Sequence, residues 1–195
     1  MTELHFDEAT HTYRLDGRVI DSVTTILKPL SEHIYRGVPR PQMEAAAQLG
    51  TAVHKMIELD CLGTLDVDGL HERVAPYFPT WQRFIAETGF KVLKTEQRVY
   101  SKDYDFAGTL DLYGEMHGKT VLIDIKCTAA VPATAGPQTA AYKLALEEAG
   151  LWWVEERYVL QLPNPNDYRL APLKDRGDIK TFLSCLTIHN WKKNQ

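Results

Sequence analysis

The chain has few cysteines, only Cys61, Cys127 and Cys185 in 195 residues. None forms a Cys-x-x-Cys pair, and an odd count argues against a disulfide framework. Long apolar runs are missing too: nothing approaches the ~20 residues of a membrane span. The opening Met-Thr-Glu-Leu-His-Phe-Asp lacks a basic segment followed by an apolar one, so no signal peptide is expected and a cytosolic location follows by default. There are no internal repeats, low-complexity tracts or linkers. Nor is there an excess of positive charge. The formal net charge is −4, which counts against a simple nucleic-acid binder without excluding one. Basic residues gather locally at Lys28, His33, Arg36 and Arg40 and at Lys192-Lys193, clusters of a size more often found on a solvated surface. What remains, 195 residues of which 44% are hydrophobic, suffices for one domain over 1–195 with a real core.

The most informative stretch is 108–126. Asp111 lies on one apolar strand, and Asp124-Ile125-Lys126 ends the next, after Val121-Leu122-Ile123. Acids at the end of such a run are expensive to bury, and a metal ion between them would explain their presence. Asp124 and Lys126 are two apart and point to one face; Ile125 points to the other, leaving its carbonyl free as a further hard oxygen ligand. If the Gly108–Tyr113 strand pairs with Leu122–Cys127, Asp111 lies near Asp124. Mg²⁺ takes oxygen ligands at ~2.1 Å and keeps several waters, so one or two carboxylates plus a substrate phosphate suit it. This is the layout of metal-assisted phosphodiester hydrolysis. The plainer alternative makes Asp111 a turn cap and Asp124–Lys126 a solvated ion pair contributing under ~1 kcal/mol.

Two further signatures flank this stretch. Gly50-Thr-Ala-Val-His54 falls inside a helix expected over Pro41–Leu62. Gly50 costs that helix roughly 1 kcal/mol relative to alanine, which would be compensated if another backbone approaches closely there. His54 shares a face with Glu58; it is either a surface or core-edge histidine or a nitrogen ligand for the same metal. Downstream, Gln138 and Tyr142 share a face near the start of a helix at about 136–149, with Pro137 in the first turn. That helix N-terminus would favour a phosphate, or the pair is ordinary helix surface.

Elsewhere, residues 3–21 read as a hairpin around Asp16-Gly17. Ser22 caps a helix at Val23–Leu30, and its hydroxyl also suits a phosphate. Ser31–Arg40 reads as a loop mixing Tyr35 with Arg36 and Arg40, either a connector or a contact for single-stranded nucleic acid. Gly69–Thr88 reads as helical but broken near Pro76 and Pro79, with Phe78, Trp81, Phe84 and Ile85 as its core face. Strands are expected at 90–100, 106–113, 155–162 and 168–173, and a last helix at about 178–193. The fold class is α/β: a mixed sheet flanked by helices, preceded by an N-terminal hairpin and helices.

In order, Gly50-x-x-x-His54, Glu96, Gly108-Thr-x-Asp111, Asp124-x-Lys126 and Gln138-x-x-x-Tyr142 resemble the PD-(D/E)XK nuclease superfamily. More narrowly they resemble its RecB-like branch, which includes phage and mitochondrial-type exonucleases. The Tyr13-x-x-Asp-Gly…Ser22-Val-Thr segment is similar to the N-terminal segment of those exonucleases, which lies close to substrate. The resemblance implies a restriction-endonuclease-like core and a Mg²⁺- or Mn²⁺-dependent deoxyribonuclease with one or two ions. It implies that His54, Asp111, Asp124 and the Ile125 carbonyl hold metal, with Asp111 and Asp124 also catalytic. Lys126 would position or activate water or stabilise charge. Gln138 and Tyr142 would hold substrate or brace the site, and Glu96, where family members often carry an acid, would be a further catalytic acid. Asp124 stands where the superfamily often has Glu, and Leu110 where its name has proline. Some relatives carry an iron–sulfur cluster on four cysteines; with three, none is expected here. The implied partner is DNA with a free end, with recombination or replication proteins as further partners and the host cytosol as location if phage-encoded. The rivals are a structure-specific endonuclease or nickase of the same fold, a non-catalytic nucleic-acid-binding module, and an interaction subunit of a recombination or replication complex.

Overall fold

Asp16 and Gly17 both adopt left-handed backbone angles, φ 48° and 85°. These are the angles of a two-residue turn that matches strand twist. The turn joins β2 (Thr12–Leu15) to β3 (Arg18–Ser22), and β1 (Leu4–Asp7) pairs with β2 on the other side. The computed structural model describes residues 4–8, 10–34 and 36–195.

Ser22 ends β3 and caps α1 (Val23–Ile34): its Oγ accepts the Thr25 N–H at 3.0 Å. The helix outruns its expected end at Leu30 and keeps Pro29 inside. Its buried stripe of Val23, Ile26 and Leu27 holds it against the core despite the hydrogen bond that the proline removes. The loop expected over Ser31–Arg40 is therefore much shorter. Next comes α2 (Arg40–Cys61), whose buried residues are Val53, Met56 and Ile57, all in its second half. Residues 69–74, expected as helix, form turns instead. A 3₁₀ turn at Ala75–Tyr77 leads into α3 (Phe78–Thr88), which Gly89 ends in a left-handed conformation. Pro76 and Pro79 each stand in a first turn, where the missing N–H costs nothing.

Three antiparallel strands follow, β4 (Lys91–Ser101), β5 (Phe106–Met116) and β6 (Lys119–Lys126). Helix α4 (Ala135–Glu148) crosses to β7 (Glu156–Asn164), which is parallel to β6. Strand β8 (Asp167–Pro172) returns antiparallel, and α5 (Asp178–Lys193) completes the order. The fold is α/β: among the described residues, one mixed eight-stranded sheet in the order β1-β2-β3-β5-β6-β7-β8, with β4 on β5, and five helices. Helices α1, α4 and α5 cover one face over Phe106, Leu122 and Phe182; α2 and α3 cover the other over Trp81, Phe84 and Ile123. Val121–Ile123 of β6 are apolar without a break because the strand is covered twice: Leu122 enters the first core, and Val121, Ile123 and Ile125 the second. No described helix is long and apolar enough to cross a membrane.

Candidate active site

Strand β5 gives one edge to β4 along Phe106–Glu115. Its other edge is shared. β3 pairs with it in parallel at Phe106–Ala107, and β6 pairs antiparallel at Leu112–Met116. Between them, Gly108–Asp111 faces no strand. Beyond Ile123, β6 keeps only β7. The sheet is split here.

Side chains close the split. Asp111 Oδ2 accepts the Ile125 N–H at 2.6 Å, and His54 Nε2 lies 3.0 Å from the Ile125 carbonyl oxygen. Both backbone groups of Ile125 thus find side chains where a neighbouring strand would stand. The carbonyl expected to be free is hydrogen-bonded. Because a carbonyl only accepts, Nε2 carries the proton and Nδ1 is left bare. Nδ1 lies 3.7 Å from Asp111 Oδ2, so two lone-pair carriers face each other unless a proton or a cation sits between them.

Asp124 points to the opposite face from Ile125 and is 1% exposed. Lys126 Nζ lies 2.9 Å from its Oδ1 and 2.8 Å from its Oδ2. Only the first contact has hydrogen-bond geometry, so Oδ2 is buried without a hydrogen bond among the described residues. Burial pushes the Asp124 carboxyl above its ordinary range against the pull of Lys126, and Asp111 pushes it the same way. Asp124–Lys126 is therefore not a solvated surface pair. The lysine reaches from the buried acid into a cleft of about 990 Å³ between the N-terminal hairpin and α2.

Glu96 stands across β5 from Asp111: the flanking pairs are Thr95 with Leu112 and Gln97 with Leu110. It has φ 46° in mid-strand. The pleat changes phase at this level, since Leu110 enters the α1/α4/α5 core and Leu112, two residues on, the α2/α3 core. Donor atoms of Glu96, His54 and Asp111 all lie within 4.8 Å of one another. Burial, reinforced by the charges of Asp111 and Glu58, pushes the Glu96 carboxyl up to about 8.

Gln138 Nε2 donates to the Tyr142 hydroxyl at 3.1 Å, and both residues line the cleft. Tyr142 explains the glycine of Gly-Thr-x-Asp: a Cβ on Gly108 would sit 2.5 Å from its ring. Gly50 is different. Nothing lies within 4 Å of where its Cβ would be, so the close backbone approach expected there does not occur, and Gly50 lines the open cleft. Ser22 lines the cleft while capping α1, and its Oγ also contacts the Thr24 and Thr25 hydroxyls, each at 2.9 Å. Arg36 is exposed in the turn after α1 and does not line the cleft; Tyr35 lies outside the described residues. Cys127 lines the cleft, its thiol pushed up to about 11 by burial, the reverse of an activated nucleophile.

Two residues not singled out as site members on sequence stand at the split. The Tyr13 hydroxyl and Thr109 Oγ1 are 2.7 Å apart, tying the hairpin to β5 two residues before Asp111. The threonine was visible inside Gly-Thr-x-Asp, and the tyrosine inside Tyr13-x-x-Asp-Gly. The cleft wall holds four carboxylates, Glu8, Glu58, Glu96 and Asp111, against two lysines, Lys55 and Lys126. It therefore repels a polyanion unless cations are bound. No protein-family model matches the chain, and no curated protein matches it.

Proposed function

We propose that this chain is a divalent-metal-dependent deoxyribonuclease of the PD-(D/E)XK type, acting as an exonuclease on DNA in recombination, repair or replication, in the cytosol. The observation that carries this reading is the gathering of His54, Asp111, Asp124 and Lys126 around Ile125 at the split. The bare Nδ1 opposite Asp111 and the buried Asp124 carboxylate, whose Oδ2 has the Lys126 ion pair but no hydrogen bond among the described residues, suit a hard cation with oxygen-rich ligands. His54, Asp111 and Asp124 would hold Mg²⁺ or Mn²⁺, with the Ile125 carbonyl as a ligand once His54 releases it. When bound, the ion would stabilise charge on a phosphate and make a water more acidic.

The remaining work falls to this chain's own groups. Lys126, held by Asp124, presents its ammonium to the cleft, where it would hold a phosphate oxygen or the attacking water. Gln138 and Tyr142 brace the wall beyond it. Ser22 and the first N–H groups of α1 would receive a neighbouring phosphate. Digestion of end-labelled single- and double-stranded DNA with Mg²⁺ or Mn²⁺ tests the reading. Release of labelled nucleotides only with metal supports an exonuclease. Internal cuts in circular DNA favour the endonuclease alternative. Binding without cleavage favours a second reading, a non-catalytic nucleic-acid-binding module. That reading has one observation of its own: Asp111 and His54 already serve as hydrogen-bond partners of Ile125.

A further inference from the structure

We propose that Arg157, which does not line the cleft, is a positioning residue that sets Gln138 against the substrate; this rests on the nuclease reading above. Gln138 stands in the first turn of α4, and that turn is weakly held from within. Thr134, at the N-cap, makes no side-chain capping hydrogen bond among the described residues. Arg157 holds the turn from outside instead. It lies near the start of β7, opposite Leu122 of β6, on the face that α4 and α5 cover. Its Nη1 donates to the Gly136 carbonyl at 2.8 Å and to Thr139 Oγ1 at 3.1 Å. Gln138 lies between these two residues in the chain.

The other arm of the guanidinium is fixed to α5. Nη2 donates to Asp178 Oδ2 at 2.8 Å and to the Leu173 and Asp175 carbonyls at 3.4 Å. The Arg157 and Asp178 side chains are only 11% and 12% exposed. A buried ion pair is weak evidence for stability, because well-packed apolar residues of the same volume often do as well. What this pair supplies is direction: a planar fork that clamps a carbonyl of α4 to a carboxylate of α5. The packing agrees. A Cβ on Gly136 would overlap the Asp178 carboxylate, so the start of α4 approaches α5 this closely only with glycine there. The turn anchored in this way presents Gln138 to the cleft, where it donates to the Tyr142 hydroxyl.

The test is a double-mutant cycle on cleavage of end-labelled DNA with Mn²⁺, using wild type, Arg157→Lys, Gln138→Ala and the double variant. Circular-dichroism melts fix the folded fraction of each. Lysine keeps the charge and loses the fork, so kcat/KM per folded molecule should fall ~10-fold or more. In the Gln138→Ala background the same change should cost under ~3-fold, because the group that Arg157 positions is gone. A residue that only stabilises the fold would leave kcat/KM per folded molecule unchanged, or its loss would multiply with that of Gln138→Ala. Either result overturns the proposal and leaves the nuclease reading standing. Asp178→Asn loosens the clamp from the α5 side and carries the same cycle should Arg157→Lys fail to fold. Should Gln138→Ala cleave too slowly to follow, the cycle is read in the dissociation constant for the same DNA with Ca²⁺. No cleavage by wild type with Mn²⁺ or Mg²⁺ overturns both.

Discussion

From Leu112 to Met116, the second edge of β5 is an ordinary antiparallel ladder, matched residue for residue with Lys119–Ile123. From Gly108 to Asp111 the same edge has no strand beside it, and β6 has turned away to β7. In the ladder, backbone meets backbone and the side chains are free to fill two cores. At the split, the backbone groups of Ile125 must be met by side chains, and those are an acid and a histidine. One strand thus builds a core at one end and exposes polar chemistry at the other. The residues at the split carry two duties, holding Ile125 and offering ligands, and substitutions can separate the two.

The sharpest contrast sets Asp124→Asn against Ile123→Ala. The first should abolish cleavage with little change in the melting temperature of the metal-free protein, because it removes a charge that burial already disfavours. The second should cost about 2–5 kcal/mol of stability and leave the activity of the folded fraction intact. Full cleavage by Asp124→Asn would make the split a structural feature only.

Lys126→Ala should lose at least ~100-fold in rate, with metal binding retained by calorimetry. It also strands Asp124 in the core. The expected cost is about 1 kcal/mol at pH 7, below the usual penalty for breaking a buried pair because Asp124, already raised to about 6, can take up a proton. The sign is fixed by linkage. The unfolded value is common to both proteins, so the penalty appears only above the wild-type folded-state pKa of about 6 and vanishes below it, where Asp124 is protonated in both folded proteins. Urea melts at pH 3.5 and 7 measure this; a penalty independent of pH would point to lost packing instead.

Asp111 separates the two duties directly. Asp111→Ala leaves the Ile125 N–H buried without an acceptor and should cost about 1–3 kcal/mol. Asp111→Asn keeps an acceptor oxygen and should cost less, while both lose cleavage. Equal stability of the two variants would mean that the 2.6 Å hydrogen bond contributes little.

Glu96→Gln should stabilise the metal-free protein. Its carboxyl is raised to about 8, so the folded chain holds a proton that the unfolded chain releases above ~pH 4.4, and wild-type stability falls as pH rises through that window. The advantage of Glu96→Gln should be absent below ~pH 4.4, grow to about pH 8 and reach about 1–2 kcal/mol after solvent screening. The smallest effect belongs to Gly50→Ala. With open space at its Cβ it should gain about 0.5–1 kcal/mol from helix propensity, and any loss of activity would mark that wall of the cleft as a substrate contact.

Much of this protein is written in short-range terms. Asp16-Gly17 specifies its turn through two left-handed residues, Ser22 its helix start through one capping oxygen, and Val121–Ile125 a strand covered on both faces. The juxtaposition of Asp124 and Lys126 follows from a period of two, and that of Gln138 and Tyr142 from a helical turn. Other features were not local. Helix α1 continues through Pro29 because its apolar stripe finds a core, whereas residues 69–74 send only Leu70 and Val74 toward the α2/α3 core and stay in turns. Gly50 looked like a packing glycine and lines empty space, and Arg36, read as a substrate contact, does not line the cleft, although Val38 two residues on does. The position of Glu96 opposite Asp111 depends on the register of β4 on β5, and the hold of Asp111 and His54 on Ile125 depends on where β6 leaves β5. Periodicity and turn chemistry act over a few residues and can be read along the chain; the parting of two strands is set by what packs beyond them, here α2 on one face and α4 on the other, and only the folded chain decides it.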